Sequence, residues 1–235
     1  VVNPRQKVGI CGRTGSGKST LMQMLFRILE LDSGVIKIDD VDIKTIGLRQ
    51  LRTGIAILPQ DPTLFTGSIR ENVDPFDQYT DEQLWTALER AQMKEAVEKM
   101  PQKLKTPVGE GGESFSVGER QLLCLARSIL TQRRLLIMDE CTASVDVETD
   151  AKIQSMIRHE FSECTVFAIA HRLDTIIDYD RIAVLDKGHL KEYDSPANLL
   201  EITDGIFASL VEETGPTQAP RLKALARGDP VLTPR

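Results

Sequence analysis

The sequence predicts an α/β fold: a mostly parallel sheet wrapped by helices, with a short antiparallel excursion near the start and an α-helical insert in the middle. Three observations predict it. Apolar runs of strand length alternate with amphipathic segments of helical period. A glycine-rich turn, Gly12-Arg13-Thr14-Gly15-Ser16-Gly17-Lys18-Ser19, joins one apolar run to one helical segment. A second apolar run, Leu135-Leu136-Ile137-Met138, ends on two carboxylates, Asp139 and Glu140.

Taken in order, residues 7–11 form a buried strand and residues 18–30 a helix ending near Asp32-Ser33-Gly34. Val35-Ile36-Lys37-Ile38 alternates weakly before the turn signal Asp39-Asp40, which marks the antiparallel excursion. Ile55 to Leu58 is a buried strand stopped by Pro59. Helices follow at Asp81–Ala91, with Leu84, Trp85 and Leu88 on one face, at Lys94–Met100, and at Ser116–Ile129, with Leu122, Leu125, Ala126 and Ile129 at helical spacing. Strand character returns at 135–138, 165–170 and 182–185, with a helix from Asp146 to Phe161 between the first two. Residues 1–67 and 131–214 are expected to form the core and 68–130 an inserted helical subdomain. Residues 215–235 hold four prolines and four basic residues against one acid, and are expected to be a flexible tail.

Bulk properties narrow the function. A net charge of −6 over 235 residues makes a poor binder of nucleic acid, whose backbone is gripped by clustered Lys and Arg. Cys11, Cys124, Cys141 and Cys164 show no C-x-x-C spacing, which fits reduced thiols in a cytosolic compartment, neither a disulfide frame nor a zinc site. No apolar run approaches the roughly 20 residues a membrane span needs, so any spanning part must come from another segment.

The glycine turn carries the strongest chemistry. Strand, G-x-x-x-x-G-K-S and helix together form a phosphate-binding loop, the mark of a P-loop NTPase core. Its glycines let backbone N–H groups turn inward around phosphate oxygens, and the helix start adds its positive dipole end. Gly12, Thr14, Gly15, Ser16, Gly17, Lys18, Ser19 and Thr20 are the candidate nucleotide contacts. Lys18 would reach the β- and γ-phosphates and the Ser19 hydroxyl would ligate Mg²⁺. Asp139 sits at the carboxyl end of a buried strand, where open α/β sheets bind ligands, and would complete the Mg²⁺ shell. Glu140 is placed to polarise a water. Standing alone, the pair could equally cap a strand edge. Ser116 and Glu119 match the capping box S-x-x-E, so Phe115-Ser116-Val117-Gly118-Glu119 is satisfied locally as a helix start. His159, His189 and Trp85 read as surface or packing residues.

The order of these segments resembles the nucleotide-binding domain of an ATP-binding cassette (ABC) protein. Gly12–Ser19 matches Walker A and Leu135–Asp139 Walker B. Gln60 matches the Q-loop, Phe115–Glu119 the signature, Ser144-Val145-Asp146 the D-loop and Ala170-His171-Arg172 the switch histidine. The resemblance covers residues 5–212. It implies ATP and Mg²⁺ as ligands, with Ser19, Gln60 and Asp139 on the metal. It implies Glu140 as catalytic base, His171 holding the γ-phosphate or the attacking water, and Ser116 and Gly118 meeting ATP on a second, facing nucleotide-binding domain. Thr106 to Gly112 resembles an exporter loop, and Phe65 to Phe76 and Val117 resemble the second such domain of subfamily C, the multidrug-resistance-associated group. Phe115, Val117 and Glu119 depart from the usual signature Leu, Gly and Gln, and Glu119 adds negative charge.

The implied function is ATP hydrolysis powering export through head-to-tail pairing of such domains, at the cytoplasmic face of a membrane, with transmembrane domains of the same or an associated chain as partners and no nucleic acid. The family's adenine-stacking aromatic would lie upstream of residue 1, so the antiparallel β-subdomain is expected to be truncated and the chain a fragment. Two other readings stay open: a soluble ABC-type ATPase acting in DNA repair or translation, and a regulatory cassette that binds ATP without cleaving it. The absence of heptads and the exporter-like loop weigh against the first, and Glu140 with His171 against the second. No N-K-x-D guanine motif is present.

Overall fold

A computed structural model describes residues 1–141, 145–170 and 172–229. The elements run in the order β1 (Lys7–Cys11), α1 (Lys18–Leu25), β2 (Lys37–Ile38), β3 (Val41–Asp42), α2 (Leu48–Thr53), β4 (Ile55–Leu58), β5 (Gly67–Ser68), α3 (Ile69–Val73), α4 (Asp81–Arg90), α5 (Lys94–Glu98), β6 (Pro107–Val108), α6 (Val117–Thr131), β7 (Leu135–Asp139), α7 (Val147–Glu160), β8 (Thr165–Ile169), β9 (Arg181–Asp186), β10 (His189–Asp194), α8 (Pro196–Leu200), α9 (Ile206–Glu212) and α10 (Gln218–Ala226). The fold is mixed α/β with a mostly parallel sheet of six strands. Residues divide into two compact units, Val1–Gly54 with Thr165–Arg235, and Ile55–Cys164.

In the first unit, β1 runs parallel to β8 on one side and to β9 on the other, and β10 closes the edge antiparallel to β9. Val8, Ile10 and Cys11 are each 1% exposed, which explains why β1 reads as an unbroken apolar run instead of an alternating one. The excursion expected after residue 35 is the hairpin β2–β3. Asp39 and Asp40 at its turn have φ of 49° and 64°, the pair of positive angles that a type I′ hairpin turn requires.

The first helix is shorter than its apolar period implied. It stops at Leu25 instead of residue 30, because Arg27 adopts φ 49° and the Ile28 N–H turns back to the Gln23 carbonyl at 2.8 Å. The Arg27 guanidinium fixes this stop by donating to the carbonyls of Ile43 and Ile46, both at 2.9 Å. The segment expected to be a flexible tail also differs. Gln218–Ala226 is helical, and Ala219 and Leu222, one turn apart, are each 2% exposed and pack α10 toward α8 and α9. Helix α9 is capped from a distance: the Glu192 carboxylate accepts from the N–H groups of Ile206 and Phe207 at 2.5 and 2.9 Å.

The second unit centres on α6, which touches β4, α3, α4 and α7. Its buried set spans Gln121, Leu123, Cys124, Leu125, Ala126, Ser128, Ile129 and Leu130, so it is enclosed on most sides, while Leu122 is half-exposed. Strands β4 and β7 pair in parallel, with Leu58 opposite Met138. Capping boxes start three helices here, at Ser68–Glu71, Thr80–Gln83 and Ser116–Glu119. Leu84 and Leu88 are fully buried on α4, whereas Trp85 is half-exposed along a shallow groove.

Candidate functional site

The first unit carries the glycine loop. Strand β1 delivers the chain into residues 12–17, and α1 starts at Lys18. Gly12, Gly15 and Gly17 have φ of 146°, 79° and 102°. Gly12 is the tightest point: a Cβ there would sit 2.1 Å from the Leu185 carbonyl oxygen. The turn after β9 braces the loop from behind, where the Gly188 N–H donates to the Ser16 carbonyl at 3.0 Å. Gly17 caps α1 in the left-handed conformation with no side-chain cap, so the first-turn N–H groups face outward without an intrahelical acceptor.

Two polar groups in this loop fit a phosphate chain. Lys18 is only 6% exposed and its Nζ donates to the carbonyls of Gly12 and Arg13 at 2.9 and 3.4 Å. The ammonium is thus held against the mouth of the cradle by two neutral acceptors that a charged phosphate oxygen outcompetes. The Ser16 Oγ is buried without a hydrogen-bond partner among the described residues. Thr14, Gly15, Ser19 and Thr20 are exposed on the same loop and first turn, so their polar groups are accessible. Beneath the loop, burial, with the Glu192 carboxylate adding to it, pushes the Cys11 thiol up to about 12, against the opposing pull of Lys18. Cys11 is therefore a neutral packing residue.

Replacing Gly12 with alanine forces the loop away from Leu185. The expected result is a loss of about 3 kcal/mol, read as a melting temperature about 10 °C lower in the intact protein. A parental melting curve with parental nucleotide affinity would disprove the cradle geometry.

The second unit carries the acidic and amide groups. Because β4 and β7 are parallel and in register at Leu58 and Met138, Gln60 and Glu140 leave the sheet at the same end of adjacent strands. Gln60 is exposed, and Asp139 and Glu140 are half-buried. Glu140 has φ 45°, a left-handed backbone rare for a residue with a side chain. Cys141 beside it is buried, and burial, with the Asp150 carboxylate next in weight, pushes its thiol up to about 12.

Ser116 is exposed at the start of α6. Its Oγ donates to Glu119 Oε2 at 2.9 Å, its N–H donates to the same oxygen at 2.8 Å, and it accepts from the Glu119 N–H at 3.2 Å. The local capping reading of this segment is therefore realised, and it leaves the hydroxyl at the surface. Gly118 has a packing reason of its own, since a Cβ would lie 2.9 Å from Thr149 Cγ2. Asp146 caps α7 by accepting from the Thr149 N–H at 3.0 Å. Ser144 and His171 lie outside the described residues.

Among the described residues no group of three or more His, Cys, Asp or Glu is arranged to hold a metal by itself. Ser19 in the first unit, and Gln60 and Asp139 in the second, each carry a hard oxygen group, the donor type that Mg²⁺ takes alongside water and phosphate oxygens. Two groups that matter escaped the sequence reading. Gln121 is 0% exposed and Asn72 1% exposed, each hydrogen-bonded to backbone beside Gln60 or in the loop that follows it. A polar residue on the buried stripe of a helix was the available signal for Gln121.

A glycine cradle between a buried strand and a helix, with a lysine folded over it, defines a P-loop nucleotide-binding protein of α/β class. Residues 1–143 match the family described as ABC transporter, and the chain belongs to that family. It is 52% identical over 227 residues to ATP-binding cassette sub-family C member 4 of Mus musculus, covering 97% of this chain and 17% of that protein. It is 52% identical over 207 residues to ABC transporter C family member 6 of Arabidopsis thaliana, covering 88% of this chain and 14% of that one. The chain thus spans less than a fifth of the length of these curated relatives. A solved structure of a bacterial Atm1-family ABC exporter with ATP bound superposes with a TM-score of 0.84 at 36% identity, over 92% of this chain and 38% of the exporter's.

Proposed function

We propose that this chain is the ATP-binding and ATP-hydrolysing domain of a subfamily C exporter. The observation that carries the nucleotide part is the cradle at Gly12, Ser16 and Lys18, with its buried unpartnered hydroxyl and its nearly buried ammonium. The likeness to sub-family C proteins and to an ATP-bound exporter supports the export part. Residues 1–67 with 131–214 would serve as the ATPase core and 68–130 as the helical insert bearing the signature.

In this reading the loop amides and Lys18 bind the β- and γ-phosphates. Ser19, Asp139 and Gln60 hold Mg²⁺, which when bound neutralises charge on the phosphate oxygens. Glu140 takes a proton from the attacking water, and His171 orients the γ-phosphate. Ser116 and Gly118 face the ATP of a second nucleotide-binding domain, so ATP joins two domains head to tail and its hydrolysis releases them. Among the described residues no helix is long and apolar enough to cross a membrane. The likeness to an ABC exporter supports transmembrane domains that would receive the motion at the cytoplasmic face.

The test uses the full-length protein in liposomes. Phosphate release is expected with ATP and Mg²⁺ and is expected to cease on chelation of Mg²⁺. Substrate-independent ATP binding with no phosphate release would instead favour a regulatory cassette, and co-purification with ribosomes or DNA would favour the soluble reading.

A further inference from the structure

Arg13 keeps its main chain inside the glycine cradle and sends its side chain out of it. Its carbonyl accepts from the Ser16 N–H at 3.1 Å and from Lys18 Nζ at 3.4 Å. Its guanidinium leaves the loop and donates to Glu213 Oε1 at 3.0 Å, 200 residues along the chain. The Ser209 Oγ donates to the same oxygen at 3.4 Å. The two side chains of the ion pair are 70% and 53% exposed, so the pair adds little to the stability of the fold. Its placement is the informative part.

Helix α9, which delivers Glu213, is tied at both ends to the surroundings of the loop. At its start the Glu192 carboxylate accepts from the Ile206 and Phe207 N–H groups. Glu192 lies on β10, the strand entered from the turn at Gly188, whose N–H braces Ser16. Phe207 and Val211, each 0% exposed, anchor the middle of the helix. At its end Glu213 caps the helix and returns to the loop through Arg13. Two adjacent carboxylates, Glu212 and Glu213, close α9, where the helix dipole disfavours negative charge and the last turn holds no basic residue. Each is answered by a distant cation: Lys223 of α10 pairs with Glu212, and Arg13 with Glu213. Of these two cations, Arg13 is the one rooted in the loop expected to hold phosphate.

We propose that Glu213 is a latch on the phosphate loop, engaging the Arg13 guanidinium on α9 and so keeping a cation of the cradle from the bound nucleotide. This rests on the reading of the loop as the ATP site. Glu213 acts through Arg13 and touches no nucleotide, which makes it a positioning residue. The Glu213 carboxylate and a phosphate oxygen compete for one guanidinium, since arginine gives charge-assisted, fork-shaped hydrogen bonds to either. While the carboxylate is present, Arg13 contributes little to ATP affinity. Once it is removed, Arg13 is free to donate to the phosphates and ATP binds more tightly.

The experiment measures the Kd of the full-length protein for ATP with Mg²⁺, and the melting temperature, in the parent, Glu213→Gln, Arg13→Gln and the two combined. Glu213→Gln is expected to lower Kd about fivefold at about 0.05 M salt, with the gain shrinking at about 0.5 M. Arg13→Gln and the double variant are expected to stay within about twofold of the parent, a non-additive cycle that a merely structural role of Glu213 does not produce. Melting temperatures are expected to stay within about 2 °C of the parent, because both side chains are exposed. A parental or raised Kd in Glu213→Gln overturns the latch. So does a gain that survives in the double variant, which would come from loss of the carboxylate's own field. An Arg13→Gln Kd raised several-fold overturns it too, since Arg13 would already be serving the nucleotide. If Glu213→Gln does not fold, Glu213→Ala decides: a lower Kd supports the latch and a parental Kd overturns it. A parent that binds no ATP overturns the ATP reading itself, whereas a parent that binds ATP with a Kd unmoved by Glu213→Gln overturns the latch alone.

Discussion

Lys18→Ala is expected to lower the affinity of the full-length protein for ATP by about 100-fold and to remove ATP turnover. The ammonium is nearly buried and already sits over the cradle, donating to Gly12 and Arg13. A charge-assisted hydrogen bond to phosphate contributes about 1.5–3 kcal/mol, and a unit charge 4 Å away adds up to about 4 kcal/mol at the effective dielectric of a partly buried site. Part of this is offset by the two carbonyl bonds the lysine gives up on binding. A net loss of about 3 kcal/mol corresponds to roughly a hundredfold in affinity. Equilibrium binding of a fluorescent ATP analogue with Mg²⁺ present measures it. Affinity within threefold of the parent would remove the phosphate cradle as the nucleotide site, and with it the rest of the functional reading.

Glu140→Gln is expected to leave ATP binding within about threefold of the parent and to reduce phosphate release by about 10²–10⁴. Glutamine keeps the shape and hydrogen-bonding reach of the side chain while losing the proton-accepting oxygen. The group lies half-buried beside the end of β7, on a backbone whose φ of 45° turns the chain sharply after Asp139. The affinity and rate readouts separate the two acids: Asp139 is expected to act through metal and nucleotide binding, Glu140 through the rate alone. Steady-state phosphate release at saturating ATP is the measurement, and a parental rate would show that the proton is accepted elsewhere.

Much of the fold was legible because most strands of the main sheet are largely buried, Ile57 of β4 and the edge strand β10 being the exposed exceptions. The apolar runs at β1, β4, β7, β8 and β9 carry their own boundaries, and glycine, proline or acidic residues punctuate them. The start of α6 was legible for a different reason, since Ser116 and Glu119 encode their mutual hydrogen bonds in their spacing. The end of α1 was not. Ile28 and Leu29 continue the helical period yet are 64% and 43% exposed, and nothing local announces a left-handed stop at an arginine. Nor was α10, whose prolines and charge hid the spacing of Ala219 and Leu222. At the site, the residues expected to meet ligands sit in motifs with fixed spacing. Gln121 and Asn72 do not, because a buried amide is defined by backbone groups far along the chain that only folding brings to it.

The brace behind the glycine loop has a bearing on biosynthesis. Leu185 and Gly188, which back Gly12 and Ser16, lie about 170 positions later in the chain. A growing polypeptide therefore displays the whole P-loop long before its support has left the ribosome. Triphosphate capture is therefore expected to be a late event in translation, and a nascent cassette cut off before the β9–β10 turn is expected to carry the motif without its brace.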